Sequence, residues 1–358
     1  MSLPSKSRRW VIAKSPTDDV SLSGPDATFR LEEHVLPPLQ QGQLLLKTLY
    51  LSNDPAQRGW IDANPGDRLY VTPIVTGELM RAGGIAEVID SKDDKFKKGA
   101  MVSTQCGWEE YHIKSVAEVQ PIRQISGLSP TQYLGALGGT GLTAYVGLVN
   151  IAELKAGESV VISGAAGATG SMAVQIAKHI IGAGKVIGIA GSDEKCRWVE
   201  KLGADVCVNY KKSDWKEQLA KATEGFVDAY FDNVGDEQLD FMLTRLKNFG
   251  RVAACGAIAD YNKGEKGGLK NWFHVIIQRL NIKGFIVLDH LRDGNAAKIT
   301  EILSKAAESG KISIGEENET VVPTKFEDIP KTWVKLFEGA NTGKLVTKIS
   351  EGPRAHSL

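Results

Sequence analysis

"SVVISGAAGATGS", residues 159–171, sets Gly164, Gly167 and Gly170 three apart directly behind an apolar run. "GSMAVQIAKHI" (170–180) then continues as an apolar-striped helix. Three glycines are more than a plain strand-to-helix turn needs. Buried strand, bare backbone and helix in that order form the context of a dinucleotide phosphate site. Gly164 suits the tight turn, Gly167 the approach of main-chain amides to phosphate, and Gly170 close packing of helix on strand. The helix N-terminus at Ala168, Thr169 and Gly170 turns partial positive charge toward an anion.

The rhythm around this turn extends it into a fold. "KVIGIA" (185–190) leads into "DEKCRWVEKLG" (193–203), and "DVCVNY" (205–210) into "SDWKEQLAKAT" (213–223). "VDAYFDNV" (227–234), "GRVAACGAI" (250–258) and "NIKGFIV" (281–287) add three more strands. Strands and helices alternating at this spacing predict an α/β Rossmann fold, a doubly wound parallel sheet of six strands in the order 3-2-1-4-5-6. Upstream, "SPTQYLGALGGTGLTAYVGLVNIAEL" (129–154) reads as helix, glycine turn and helix, with Ser129 as N-cap and Pro130 at the first helical position.

Residues 30–120 have a different texture. "QLLLKTLYLS" (43–52), "GGIAEVID" (83–90) and "AMVSTQ" (100–105) are short β-branched and apolar runs parted by Gly, Pro or Asp, the pattern of a β-rich domain. "NPGDRLY" (64–70) reads as an exposed loop. The tail from 321 reads as strand, amphipathic helix and strand returning to that domain. The predicted division is 1–128 with 317–358, and 129–316.

The 358 residues carry no formal net charge, with 42% hydrophobic and 24% charged side chains. Nothing in that balance attracts nucleic acid or an anionic membrane. No run approaches the roughly 18 apolar residues of a membrane span. Lys14 interrupts the apolar patch Val11–Ala13 before it reaches signal-peptide length, and the ending "HSL" does not match the peroxisomal Ser-Lys-Leu address. The cytoplasm is the expected compartment. Cys106, Cys196, Cys207 and Cys255 stand far apart with no Cys-x-x-Cys pair, so a structural zinc lobe lacks ligands and packing is their plainest role.

The second strand decides which dinucleotide. An NAD site places Asp or Glu at its end to hold the ribose 2′-hydroxyl. Here Gly191 and Ser192 follow, then Lys195, while Asp193 and Glu194 suit the first turn of the next helix. That arrangement favours the 2′-phosphate of NADPH over NADH.

"YLSNDPAQRGW" (50–60), "GAAGATGS" (164–171), "AGSDEK" (190–195), "KLGAD" (201–205), "FDNVG" (231–235), "CGAIADYN" (255–262) and "NTGKLV" (341–346) together resemble the zinc-independent medium-chain dehydrogenase/reductases, in the prostaglandin reductase and alkenal double-bond reductase branch. The resemblance implies a GroES-like catalytic domain beside the Rossmann domain. It also implies NADPH contacts at Lys195, Tyr210, Asn233, the loop Cys255, Gly256, Ala257, Ile258 and Tyr261, the strand Phe285, Ile286 and Val287, and Asn341. For Tyr210 and Cys255, core filling is the alternative. Zinc-dependent relatives carry a Gly-His-Glu motif; the matching stretch "VTGELM" (75–80) has glycine before Glu78, so no metal is expected.

The function so implied is NADPH-dependent reduction of the C=C bond of a small enone or enal, with hydride added at the β-carbon. A donor toward the carbonyl oxygen lowers that barrier. Relatives often place a tyrosine after the sixth strand, where "GFIVLDHL" (284–291) has His290; the alternative is a loop histidine without a role. Tyr50 and Asn53 are further pocket candidates, Trp60 and Trp108 are pocket wall or core, and Ala56 replaces a ring common in relatives. "ADYNKGEKGGLKN" (259–271) reads either as a mobile loop over a cleft or as an exposed linker. A ketone or quinone reductase and a non-catalytic NADPH-binding sensor remain alternatives, and a homodimer through the sixth strands is implied.

Overall fold

A computed structural model describes residues 3–349 apart from 124, 126 and 264–266. Residues 264–266 of the expected loop lie outside the described residues. The chain separates into two compact units: one holds residues up to 134, 320–340 and 345 onward, the other 135–319 and 341–344. The divisions thus fall after 134 and 319, several residues beyond the sequence-based boundaries.

The second unit is a six-stranded sheet. Its strands are β1 (Ser159–Ile162), β2 (Lys185–Ala190), β3 (Val206–Asn209), β4 (Val227–Asp232), β5 (Leu246–Ala254) and β6 (Asn281–Gly284). They lie in the order β3-β2-β1-β4-β5-β6, and every pair is parallel. Val160, Val161 and Ile162 are fully buried, as expected of a central strand covered on both faces. Helices α1 (Ala168–Gln175), α2 (Asp193–Lys201), α3 (Trp215–Ala222) and α4 (Asp236–Leu243) follow successive strands β1 to β4. The strand order reverses between β1 and β4, and such switch points are where open α/β sheets bind ligands.

Three elements depart from the sequence reading. β5 begins at Leu246 and ends at Ala254, because the N–H groups of Cys255 and Gly256 turn onto the Asp232 carbonyl. β6 stops at Gly284, opposite the last residue of β5, so Phe285–Val287 have no partner strand; a 3-10 turn runs from Val287 to His290. Pro130–Leu134 is a 3-10 turn, in which the Ser129 hydroxyl accepts from the Thr131 hydroxyl at 2.7 Å. Gly135 and Gly138 separate it from the helix Gly139–Val146.

The first unit is built on a seven-stranded sheet with Gln43–Ser52 at its centre. That strand pairs antiparallel with Gly83–Ser91, Tyr111–Ser115 and the late strand Lys344–Ile349. Lys6–Ile12 and Phe29–Val35 form a separate ribbon. Phe29, Trp108 and Trp333 pack as a buried aromatic trio with ring centroids 4.9–5.9 Å apart. Among the described residues no helix is long and apolar enough to cross a membrane.

Candidate functional site

The glycine turn is built as its spacing predicts. Gly164 has φ +57°, in the left-handed region. A Cβ on Gly170 would stand 2.1 Å from the Gly164 carbonyl oxygen, so only glycine lets α1 start there. Gly167 is the N-cap of α1; no side chain caps the helix and no acidic residue stands in its first turn. The amides around Ala168 and Thr169 therefore present partial positive charge uncompensated by a side chain.

The 341–344 segment docks against this turn. Gly343 donates its N–H to the Ala166 carbonyl at 2.8 Å and bridges to Gly167. Gly343 has φ +65°, and a Cβ there would lie 1.9 Å from the Asn318 carbonyl oxygen. Asn341 is thereby brought beside the turn, its Nδ2 donating to the Gly343 carbonyl at 2.7 Å.

At the end of β2 the charges gather as a 2′-phosphate requires. Ser192 Oγ accepts the Lys195 N–H at 3.2 Å as the cap of α2, which leaves its own hydroxyl hydrogen to donate elsewhere. Lys195 is half-buried, and burial together with the Lys211 charge depresses its pKa; an anion would relieve both costs. Tyr210 is 39% exposed, and a Cβ on Gly191 would meet its hydroxyl at 3.3 Å. Asp193 Oδ1 instead accepts from Asn209 and Lys212, each at 2.9 Å. The residues present fit a phosphorylated dinucleotide.

The switch point is organised by a residue that motif reading passed over. Asp232 ends β4 and is 2% exposed. Its Oδ1 accepts from Tyr230 Oη at 2.9 Å and from Ser163 Oγ and the N–H groups of Val234 and Gly235, each at 3.0 Å. Burial pushes its carboxyl above the usual range although these donors pull the other way. An acidic residue closing the apolar run "VDAYFD" was the available signal. Asn233 is set by this hub: its N–H donates to Ser163 Oγ at 2.9 Å and its Nδ2 to the Ser163 carbonyl at 2.7 Å. The side-chain carbonyl of Asn233 takes no part in those bonds.

Cys255, Gly256 and Ala257 follow β5, and Ile258–Asp260 is a 3-10 turn. Burial lifts the Cys255 thiol to about 12, so it is no nucleophile at neutral pH. Tyr261 Oη accepts the Ala257 N–H at 3.4 Å. Phe285 packs edge-on to Phe231 at 6.4 Å, and Ile286 is extended. His290 closes its turn half-buried, with its carbonyl accepting from Asn295 Nδ2 at 2.6 Å.

In the first unit, Tyr50 is half-buried against Ile85, Leu134 and Val346. Asn53 is 1% exposed and donates from Nδ2 to Thr347 Oγ1 at 3.0 Å and to the Leu345 carbonyl at 3.4 Å. Its amide fastens the late strand to the central one. Trp108 is fully buried core. Trp60 instead donates to Tyr70 Oη at 3.0 Å, with the Arg81 guanidinium over its ring. Among the described residues no three His, Cys, Asp or Glu side chains gather as a metal site.

Comparison with known proteins follows the same division. A family model described as the N-terminal domain of oxidoreductase matches residues 8–122, and one described as zinc-binding dehydrogenase matches 168–305. Prostaglandin reductase 1 of Bos taurus is 36% identical, covering 90% of this chain and 94% of its own. The NADP(+)-dependent 2-alkenal reductase of Nicotiana tabacum is 35% identical over 87% of this chain and 89% of its own. The crystal structure of CurA from Vibrio vulnificus in complex with NADPH superposes with a TM-score of 0.84 at 32% identity, over 96% of this chain and 100% of that one.

Proposed function

Since the chain belongs to the medium-chain dehydrogenase/reductase family, in the branch of the prostaglandin and 2-alkenal reductases, we propose that it reduces the activated C=C bond of small α,β-unsaturated ketones and aldehydes. It is an NADP-dependent oxidoreductase with NADPH as its cofactor. Bound NADPH supplies a hydride for the β-carbon of the enone. The single observation that carries the cofactor side is the half-buried Lys195 beyond the end of β2, where a carboxylate would stand for NADH, with the charge of Lys211, beyond β3, acting on it.

The chain's own residues do the positioning. Gly164 to Gly170 and the docked Gly343 hold the pyrophosphate end, while Lys195, Ser192 and Tyr210 hold the 2′-phosphate. Asn233, fixed to Ser163, offers its side-chain carbonyl to the nicotinamide ribose. His290, on a turn pinned by Asn295, is the proposed donor to the carbonyl oxygen where charge develops. Tyr50 is a pocket-wall residue in this reading.

Mixing the protein with NADPH and a panel of enones, ketones and quinones tests it, followed at the nicotinamide absorbance. Oxidation with enones alone is expected. Turnover of ketones or quinones alone, or NADPH binding without any turnover, overturns the reading.

The reading extends to a homodimer. β6 is the edge strand of its sheet, and the short helix leading into it leaves Trp272, Phe273 and Ile276 more than half exposed. Sedimentation of Ile276→Glu against the parent chain decides it. All four cysteines are free, which suits the cytoplasm as its compartment.

A further inference from the structure

Four thiols are present and they are not alike. Cys106 and Cys255 are raised to about 12 by burial, so almost no thiolate exists there at neutral pH. Cys196, on α2, and Cys207, on β3, instead lie close enough for each thiol to shift the titration of the other. The fold brings them together through Gly188 of β2. A Cβ on that glycine would stand 3.0 Å from Cys207 Sγ and 2.7 Å from Val199 Cγ1, so its bare backbone gives α2 and the Cys207 thiol their room. Glu200, one turn after Cys196, accepts the Cys207 N–H at 3.0 Å, and Asp193 at the start of α2 accepts from Asn209. Helix and strand are thus tied at both ends around the two sulfurs.

We propose that Cys196 and Cys207 form a dithiol modification site that reacts with a hydroperoxide and closes to a disulfide. The neighbouring thiol holds Cys196 below the usual thiol range and lifts Cys207, which makes Cys196 the attacking group and Cys207 the resolving one. Lys212 adds to the lowering of Cys196, while its burial, Glu200 and Asp193 oppose it. The Cys196 thiolate attacks the peroxide O–O bond, takes one oxygen as sulfenic acid, and releases an alcohol once the departing oxygen picks up a proton. The Cys207 sulfur then attacks that sulfenic sulfur, and the expelled hydroxide leaves with the Cys207 proton as water. Two thiols lose two electrons in all, and the peroxide gains them.

The consequence reaches the cofactor, and this part rests on the NADPH reading above. Lys195 immediately precedes Cys196, and its N–H caps onto Ser192. A covalent S–S bond is shorter than any non-bonded contact between sulfurs, so closure draws the first turn of α2 toward β3 and moves Lys195. Charge-assisted contacts to phosphate depend on that placement.

The test treats the reduced full-length protein with hydrogen peroxide, alkylates the remaining thiols after unfolding, and maps unreduced peptides by mass spectrometry. Loss of two hydrogens in a Cys196–Cys207 cross-link is expected, with Cys106 and Cys255 fully alkylated. Cys207→Ser should stop at a sulfenic acid on Cys196 that dimedone traps, and Cys196→Ser should form neither product. A different pairing, an intermolecular link or no link at all overturns the site.

Calorimetry then compares NADPH binding before and after oxidation. Kd should rise at least about fivefold, recover with dithiothreitol, and stay unchanged in peroxide-treated Cys196→Ser. An unchanged Kd in the cross-linked protein overturns the coupling. Failure of the reduced protein to bind NADPH overturns the proposed function instead, and leaves the cross-link to be judged by mass alone.

Discussion

Ser163 Oγ donates to Asp232 Oδ1 at 3.0 Å across the gap between β1 and β4, where the strand order reverses. One carboxylate oxygen therefore joins the ends of both central strands and fixes the loop that presents Asn233. Asp232→Ala strands the Ser163 and Tyr230 hydroxyls and two main-chain N–H groups. Each stranded buried donor costs roughly 1–3 kcal/mol, so urea unfolding should show a loss of at least about 3 kcal/mol together with weaker NADPH binding. Asp232→Asn keeps an accepting oxygen and should retain more stability than the alanine variant; equal losses would show that charge, and not the acceptor, matters.

Lys195→Ala removes the half-buried cation proposed for the 2′-phosphate. A hydrogen bond to a charged group is worth about 1.5–3 kcal/mol. The NADPH KM should rise by roughly one to two orders of magnitude, that is by the same energy at 1.4 kcal/mol per factor of ten, while the NADH KM changes little. Parallel rises for both cofactors would remove Lys195 from phosphate recognition.

His290→Phe keeps a ring of similar breadth and loses the donor. Turnover with enones should fall while calorimetric NADPH affinity holds. An unchanged kcat would leave His290 as a turn residue and nothing more.

His112 gives a pH test within the first unit. Thr48 Oγ1 donates to the Glu109 carbonyl at 2.6 Å, so its contact with His112 Nδ1 at 3.3 Å requires the proton on that nitrogen. Burial, with Lys114 adding to it, depresses the imidazole from 6.5 to about 3. Between those values the unfolded chain binds a proton that the folded chain refuses. Stability should therefore fall as pH drops from 6.5 toward 3, by up to about 1.4 kcal/mol per pH unit from this group. Urea unfolding of His112→Gln across that range should show a shallower slope; an identical slope would clear His112 of the effect.

The Rossmann unit was legible because glycine spacing and β-branched runs are local signals. β2 occupies the very residues "KVIGIA" that the apolar run outlines. The strand ends were less legible, because pairing fixes them: β6 stops where β5 stops, whatever the appeal of "FIV" as strand sequence. The packing of Asn53 was hidden for a related reason. An asparagine within a motif looks chemical, yet its partners Leu345 and Thr347 lie almost three hundred positions away and no local pattern discloses them. Asp232 was hidden by the opposite effect, since a lone acid after an apolar strand reads as a loop residue until four donors converge on it.

The late strand Lys344–Ile349 lies directly beside Gln43–Ser52. A growing chain covers the Gln43–Lys47 half of that flank early with Tyr111–Ser115, but the partner of Tyr50–Ser52 emerges only after the whole six-stranded unit has been made. The nascent first unit must therefore wait with an open β-edge, the kind of surface on which chains stick to one another. Premature termination before residue 344 would leave that edge permanently unsealed, and such fragments are natural clients for chaperones and proteases.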